Sequence, residues 1–432
     1  MTDAVTEAPP PDATLATYRI ETPLALDRAL GMLAGEGSTG TFVPVLGETD
    51  ALKARFASRI VAVRELPPSA AASLSSRKDP GAGATYRRVE VDVSVPLEAT
   101  GTQLTAILAA VAGNVFELGE VTGMRLTDLR LPHAVLAAHP GPAHSVTGTR
   151  RLSGVADGPI IGTIIKPSIG LTPEQTAQRA GELAAAGVDF IKDDELLAGP
   201  AYSPLQQRVQ AVMPVLRQAA DRAGRQVMYA FNITADTLDE MLRNHDLVHA
   251  AGGTCVMVSV HQVGVTGVRT LRERCRLPIH GHRNGWAQLT RAPALGLEFR
   301  VMQQVWRLAG IDHLHVNGIG NKFWESDESV VASLRSCLRP LRNESDRAMP
   351  VISSGQWGGQ APATLRRGGT QDLMYLAGGG IQGHPGGIAA GVCAVRAAWQ
   401  AARDGVDLAD AARDVPELAA ALDAFGATRR PQ

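Results

Sequence analysis

Between Gly162 and Ala377 eight short apolar runs alternate with helical stretches: Gly162 to Pro167, Val188 to Asp193, Val227 to Asn232, Cys255 to Val260, Pro278 to His282, His313 to Val316, Pro350 to Ser354 and Leu373 to Ala377. Parallel strands covered on both faces read as unbroken apolar runs, and a helix between each pair returns the chain for parallel pairing. Eight such units in succession point to a (β/α)8 barrel, an α/β fold whose catalytic groups stand at the C-terminal ends of the strands. A doubly wound open sheet is the rival, but it rarely needs eight parallel strands.

The 432 residues suggest two domains rather than one. Residues 1–16, with Pro9-Pro10-Pro11 and several acids, read as a flexible tail, since they have neither the basic start nor the apolar stretch of a signal peptide. Residues 17–142 mix alternating β-type pattern (Thr41 to Val45, Arg59 to Val63, Tyr86 to Val95) with helical stretches (Ala25 to Ala34, Thr102 to Ala112). A smaller α+β domain of ferredoxin-like type is expected there, with the barrel occupying 143–432. The net charge of -1 argues against nucleic-acid or membrane partners. Four dispersed cysteines, Cys255, Cys275, Cys337 and Cys393, read as reduced thiols of a cytoplasmic protein.

The second run closes on Lys192-Asp193-Asp194-Glu195. Alternation along a strand puts Lys192 and Asp194 on one face, and Glu195 can join them where the strand frays into its loop. Converging carboxylates suit a hard cation such as Mg2+. A lysine beside them is anomalous unless burial neutralises its amine, which can then take up CO2 as a carbamate and become an oxygen ligand. The bland alternative is a surface salt-bridge cluster. The other runs end in polar residues as well: Lys166, His282 with Arg283, His315 followed by Asn317, Ser353-Ser354-Gly355, and Gly378-Gly379-Gly380. Glycine-rich ends on the last two strands expose backbone N–H groups where barrels hold phosphate, and Arg283 offers a bidentate grip on a second anion.

The motifs Gly162-Thr-Ile-Ile-Lys-Pro-Ser-Ile-Gly-Leu171, Gly187-Val-Asp-Phe-Ile-Lys-Asp-Asp-Glu195 and Gly378-Gly-Gly-Ile-Gln-Gly-His-Pro385 resemble those of the large subunit of ribulose-1,5-bisphosphate carboxylase/oxygenase, RuBisCO, and of the RuBisCO-like proteins. Glu36-Gly-Ser-Thr-Gly-Thr41 and Gly113-Asn-Val-Phe116 match segments that complete the active site of a neighbouring subunit, so the resemblance implies a homodimer with a shared site. It also implies that Lys192 is the carbamylated lysine and that Asp194 and Glu195 are the other Mg2+ ligands, with Asp193 facing away. Lys166 matches the proton-handling lysine, His282 a residue near the enolate oxygens, and Lys322 the lysine of a mobile loop. Arg283, His315 and Ser353 match one phosphate site; Thr41, Gly355, Gly379 and Gly380 match the other; Asn114 matches a residue that reaches the substrate from the partner.

Three departures bear on the substrate. Ser168 replaces a second lysine, Phe42 a tryptophan and Trp286 a histidine, which argues against CO2 fixation on ribulose 1,5-bisphosphate. Retention of Arg283 and Lys322 argues against the methionine-salvage branch, which enolises 2,3-diketo-5-methylthiopentyl 1-phosphate. The pattern is similar to RuBisCO-like proteins that decarboxylate the β-keto sugar acid 3-oxo-isoapionate 4-phosphate to an erythrulose phosphate. That chemistry resembles the carboxylation of RuBisCO run backwards. A salvage-type enolase or isomerase is the alternative, and a non-catalytic scaffold or redox-response protein the second.

Overall fold

A computed structural model describes residues 4–5 and 12–426, apart from Phe42, Pro44 and Ala82. The chain forms two compact units, one comprising 1–139 with Gly285–Val305 and the other comprising Pro140–Asn284 with 306–432. The first contains a sheet with strands β1 (Ala4–Val5), β2 (Ala13–Thr22), β3 (Arg59–Ser69), β4 (Tyr86–Pro96) and β5 (Gly123–Arg130). The second holds β6 (Ile160–Ile164), β7 (Phe190–Lys192), β8 (Met228–Asn232), β9 (Cys255–Ser259) and β10 (Ile279–His282). The chain then contributes β11 (Leu295–Leu297) to the sheet before completing the second unit with β12 (His313–His315), β13 (Met349–Ile352) and β14 (Met374–Leu376).

The eight strands of the second unit close into a barrel, and the pairings between neighbours are parallel throughout. Each expected run overlaps one strand, although β6 begins at Ile160, two residues ahead of its run, and β13 at Met349, one ahead; the strands are one to three residues shorter than the runs. Alternation fills the interior with Ile160, Phe190, Met228, Met257, Val351 and Met374, against which Val146 of the helix Ser145–Ser153 also packs. The wall is close enough to require glycine at Gly162, where a Cβ would come within 2.6 Å of Leu376 and 2.7 Å of the Phe190 carbonyl. The helix after β6, Pro173–Ala185, is launched by a capping box in which Thr172 and Gln175 satisfy each other's backbone N–H groups.

The sheet unit has the order β1-β3-β4-β2-β5-β11, and helices such as Leu26–Glu36 and Leu104–Ala112 accompany it. It differs from the sequence expectation in three places. Ala13–Ala16 are strand, not tail, because β2 pairs along its length with β4 from Ala13 opposite Pro96; much of the rest of 1–16 lies outside the described residues. Thr41, Val43 and Val45 belong to no strand: Val43 and Val45 are exposed, and the Thr41 hydroxyl donates to the Val43 carbonyl, which turns the chain locally. Phe42 lies outside the described residues. Finally, Gly285–Val305 falls inside the stretch expected as barrel but clusters with the sheet unit, since β11 pairs in parallel with β5.

Candidate active site

β7 is only three residues long, and its alternation turns both Phe190 and Lys192 inward. Phe190 stacks on the His280 ring at 5.2 Å, and Lys192 above it is fully buried. The Lys192 Nζ donates to the Asp193 carbonyl at 2.7 Å and faces Glu195 Oε2 at 3.4 Å. Burial pushes this amine below the usual lysine range, against the opposing charges of Glu195 and Asp194. Burial also works to raise both carboxyls. It is overcome at Asp194 by the Lys166 hydrogen bond and the Lys192 charge, and at Glu195 by its pairing with His282 and by the Lys192 charge, so both are held below their ordinary range. The result is two ionised carboxylates facing an amine that loses its proton readily.

Asp193 takes no part in this group. It accepts from the Tyr229 hydroxyl at 2.6 Å, the Asn232 backbone N–H at 3.0 Å and Arg208 at 3.2 Å, all in the buried interior. It is a structural anchor that fixes the strand end from behind. Tyr229→Phe removes one hydrogen bond to a charged group, a loss of about 2 kcal/mol. A lower thermal midpoint is expected by scanning calorimetry, with turnover within a fewfold of the parent.

Around the centre, the Lys166 Nζ donates to Asp194 Oδ2 at 2.9 Å and to Ser168 Oγ at 2.6 Å, so Ser168 positions the amine from the side away from the carboxylate. His282 Nδ1 lies 3.1 Å from Asn284 Oδ1 and 3.2 Å from the Asn284 backbone nitrogen, and its Nε2 faces Glu195 Oε2 at 3.3 Å. Burial, and then the Lys192 charge, push His282 down to about 4. Asn232, at the end of β8, donates to the carbonyls of Asp194 and Glu195 at 3.2 and 3.3 Å and holds the backbone that carries them.

Two further groups border the centre. At one end Gly378, Gly379 and Gly380 open the short helix Gly378–Gln382, and their N–H groups precede the Ile381 N–H to Ala377 bond, so the helix offers them no acceptor. A Cβ on Gly378 would lie 3.6 Å from Lys166 Cε, one on Gly379 would meet nothing, and one on Gly380 would strike the Gln356 carbonyl at 2.5 Å. Gly355 has a φ of 81°, a conformation that favours glycine. At the other end Ser353 lies 3.0 Å from His315 Nδ1, and the Arg283 guanidinium is engaged by the Glu325 carboxylate. Lys322 is exposed, with its ammonium 5.1 Å from the centre of the Phe323 ring. Glu36, Thr41 and Asn114 are exposed residues of the sheet unit, Glu36 ending the helix Leu26–Glu36 and Asn114 opening a 3-10 turn.

Sequence reasoning missed Asn232, His280, Glu325 and the Tyr229–Asp193–Arg208 anchor. A signal existed for His280, because the run Ile279-His-Gly-His282 places both histidines on one strand face. None existed for Glu325, which lies 42 positions from the arginine it meets.

Among the described residues no three His, Cys, Asp or Glu side chains converge as a metal site. Asp194 and Glu195 supply two anionic oxygens, and a third can come from Lys192 once its buried amine carries CO2. The donor set then fits Mg2+.

The ribulose bisphosphate carboxylase large-chain catalytic domain matches residues 145–425, and the N-terminal domain of that chain matches 7–135. The protein belongs to the RuBisCO large-chain family. Within the family it is 50% identical to the 3-oxo-isoapionate-4-phosphate decarboxylase of Rhizobium etli, across 95% of this chain and 98% of that one. It is 52% identical to the 3-oxo-isoapionate-4-phosphate transcarboxylase/hydrolase of Xanthobacter autotrophicus, across 94% and 98%. The crystal structure of a RuBisCO-like protein from Burkholderia fungorum superposes with a TM-score of 0.89 at 44% identity, covering 96% of this chain and all of the other. The fold is that of the family, and the chain is an enzyme of its RuBisCO-like division.

Proposed function

We propose that the protein decarboxylates 3-oxo-isoapionate 4-phosphate to an erythrulose phosphate and CO2, and does not carboxylate ribulose 1,5-bisphosphate. The observation that carries this reading is the buried Lys192 facing two ionised carboxylates, with Lys166 against one of them, in a chain half identical to decarboxylases of that compound. Lys192 as its carbamate, Asp194 and Glu195 would hold Mg2+. When bound, the ion supplies electrophilic stabilisation to an oxyanion developing on the substrate.

A β-keto acid loses CO2 when the electron pair of its C–C bond passes to the ketone, which leaves an enediolate, and a proton must then be delivered to the carbon. Lys166 is placed for that delivery: Asp194 orients its ammonium, and Ser168 fixes it from the other side. His282 presents Nε2 beside Glu195, as a ring that burial keeps neutral, towards the substrate oxygens. The N–H groups of Gly379 and Gly380, with Gly355, take the phosphate. Lys322 closes over the substrate from its loop. Thr41, Glu36 and Asn114 belong to the site of a partner subunit, so the working form is a cytoplasmic homodimer. No helix among the described residues is long and apolar enough to cross a membrane.

The transcarboxylase/hydrolase relative favours one other reading, hydrolysis of the same compound. Incubation with 3-oxo-isoapionate 4-phosphate, Mg2+ and bicarbonate, with the diketo-methylthiopentyl phosphate in parallel, separates the possibilities. One equivalent of CO2 per molecule of the first compound is the expected result. Consumption of it with all carbon retained in non-volatile products establishes the hydrolase. Enolisation of the second compound alone returns the protein to the salvage reaction.

A further inference from the structure

The Arg283 guanidinium is already paired with a carboxylate, which sets what this part of the site can bind. Arg283 and Glu325 are both buried, at 7% and 5% exposure, and form an ion pair. Glu325 is held at both oxygens: Oε2 also accepts from Asn317 Nδ2 at 2.6 Å, and Oε1 accepts from the Ser329 hydroxyl at 2.7 Å. Asn317 has a φ of 64°, and its Oδ1 accepts from Ser354 Oγ at 2.7 Å, which locks the arrangement to the end of β13. A carboxylate held by three partners stays in place.

The histidines beside it are neutral, and their tautomers follow from one fixed donor. Thr149 donates its only hydroxyl proton to the Ser145 carbonyl, so it must accept from His313 Nε2, 2.9 Å away. His313 Nδ1 is then the acceptor for His280 Nδ1 at 3.4 Å, and His280 Nε2 the acceptor for His315 Nε2 at 2.8 Å. His315 Nδ1 in turn accepts the Ser353 proton at 3.0 Å. Burial keeps His280 and His315 well below the usual imidazole range. The three candidate anion ligands at this end therefore offer one guanidinium already neutralised, one neutral ring and one hydroxyl whose proton is committed.

We propose that Glu325 is a specificity-determining residue: by neutralising Arg283 it makes this end of the site reject a second phosphate and confines the enzyme to sugar monophosphates. A phosphate dianion placed here would lose its hydration without a net positive charge to replace it, and it would face the Glu325 carboxylate. A hydroxyl or hydroxymethyl group pays no such penalty. The inference rests on the proposed reading of the site, with phosphate at the glycine end.

The test is calorimetric titration of the full chain, with Mg2+ and bicarbonate present, using D-ribulose 5-phosphate and D-ribulose 1,5-bisphosphate as a matched pair. The parent is expected to bind the bisphosphate no more tightly than the monophosphate. Glu325→Gln, which keeps the shape and an acceptor but removes the charge, should improve the bisphosphate at least tenfold relative to the monophosphate. Glu325→Asp should restore the parental ratio. Tenfold tighter bisphosphate binding by the parent overturns the proposal, and that comparison stands even where a variant fails to fold. A Gln variant that shifts both ligands equally also overturns it, since Glu325 would then be a general placeholder for anions. Failure of the parent to bind either ligand overturns the inference alone if 3-oxo-isoapionate 4-phosphate is still turned over, and removes the reading of the site with it if that compound is not, whereas a wrong ratio removes the inference alone.

Discussion

Lys192→Ala is expected to lower kcat/KM by about four orders of magnitude or more, the scale of loss when an enzyme is deprived of the group around which its chemistry is organised. Truncation removes the amine that takes up CO2, and with it the third oxygen donor. Asp194 and Glu195 are then the only two members of that donor set left, so Mg2+ affinity falls as well. Because Lys192 is fully buried, alanine also leaves a cavity. Lys192→Met fills that space and should be equally inactive with little change in thermal stability, which separates chemistry from packing. Titration with Mg2+ should show weakened binding in both variants, and labelled bicarbonate should give a carbamate carbon signal in the parent only. Either variant keeping a tenth of the parental turnover would place the reaction elsewhere.

Lys166→Met is expected to reduce turnover by about 10²- to 10⁴-fold, the range of a positioned general acid. The loss has a signature that a purely structural role lacks. Erythrulose has a single stereocentre, and the proposed proton delivery by Lys166 comes from one side, the side on which Asp194 and Ser168 hold the amine. Without that amine, water protonates the enediol from both faces. Product from the variant should approach a mixture of configurations while the parent gives one. Chiral chromatography of the dephosphorylated product reads this directly, and retention of a single configuration would assign the proton to another group, with His282 the nearest alternative.

The barrel was legible because its strands are covered on both faces, so each appears as an apolar run whose spacing needs no knowledge of its partners. Lys192, Asp194 and Glu195 were legible for a related reason: their convergence is dictated by adjacency in one strand and its fraying end. The elements that were missed depend on distant pairings. β11 is three residues long and becomes a strand only against β5. Ala13 to Ala16 look like tail until β4 is laid beside them. Thr41 to Val45 alternates like a strand, but the exposed Val43 and Val45 have no ladder to join. Arg283 read as an open anion grip because the sequence gives no hint that Glu325 reaches it, and that ion pair changes what the site can accept.

The measurement that bears most directly on the account is a single turnover of 3-oxo-isoapionate 4-phosphate, carboxyl-labelled with carbon-13, in D2O with Mg2+ and bicarbonate, followed by NMR. Decarboxylation through an enediolate predicts that all of the label appears as CO2 and bicarbonate and that one deuterium enters the erythrulose phosphate, at the carbon that carried the carboxylate. Label retained in an organic product, or a product without deuterium at that carbon, would contradict it.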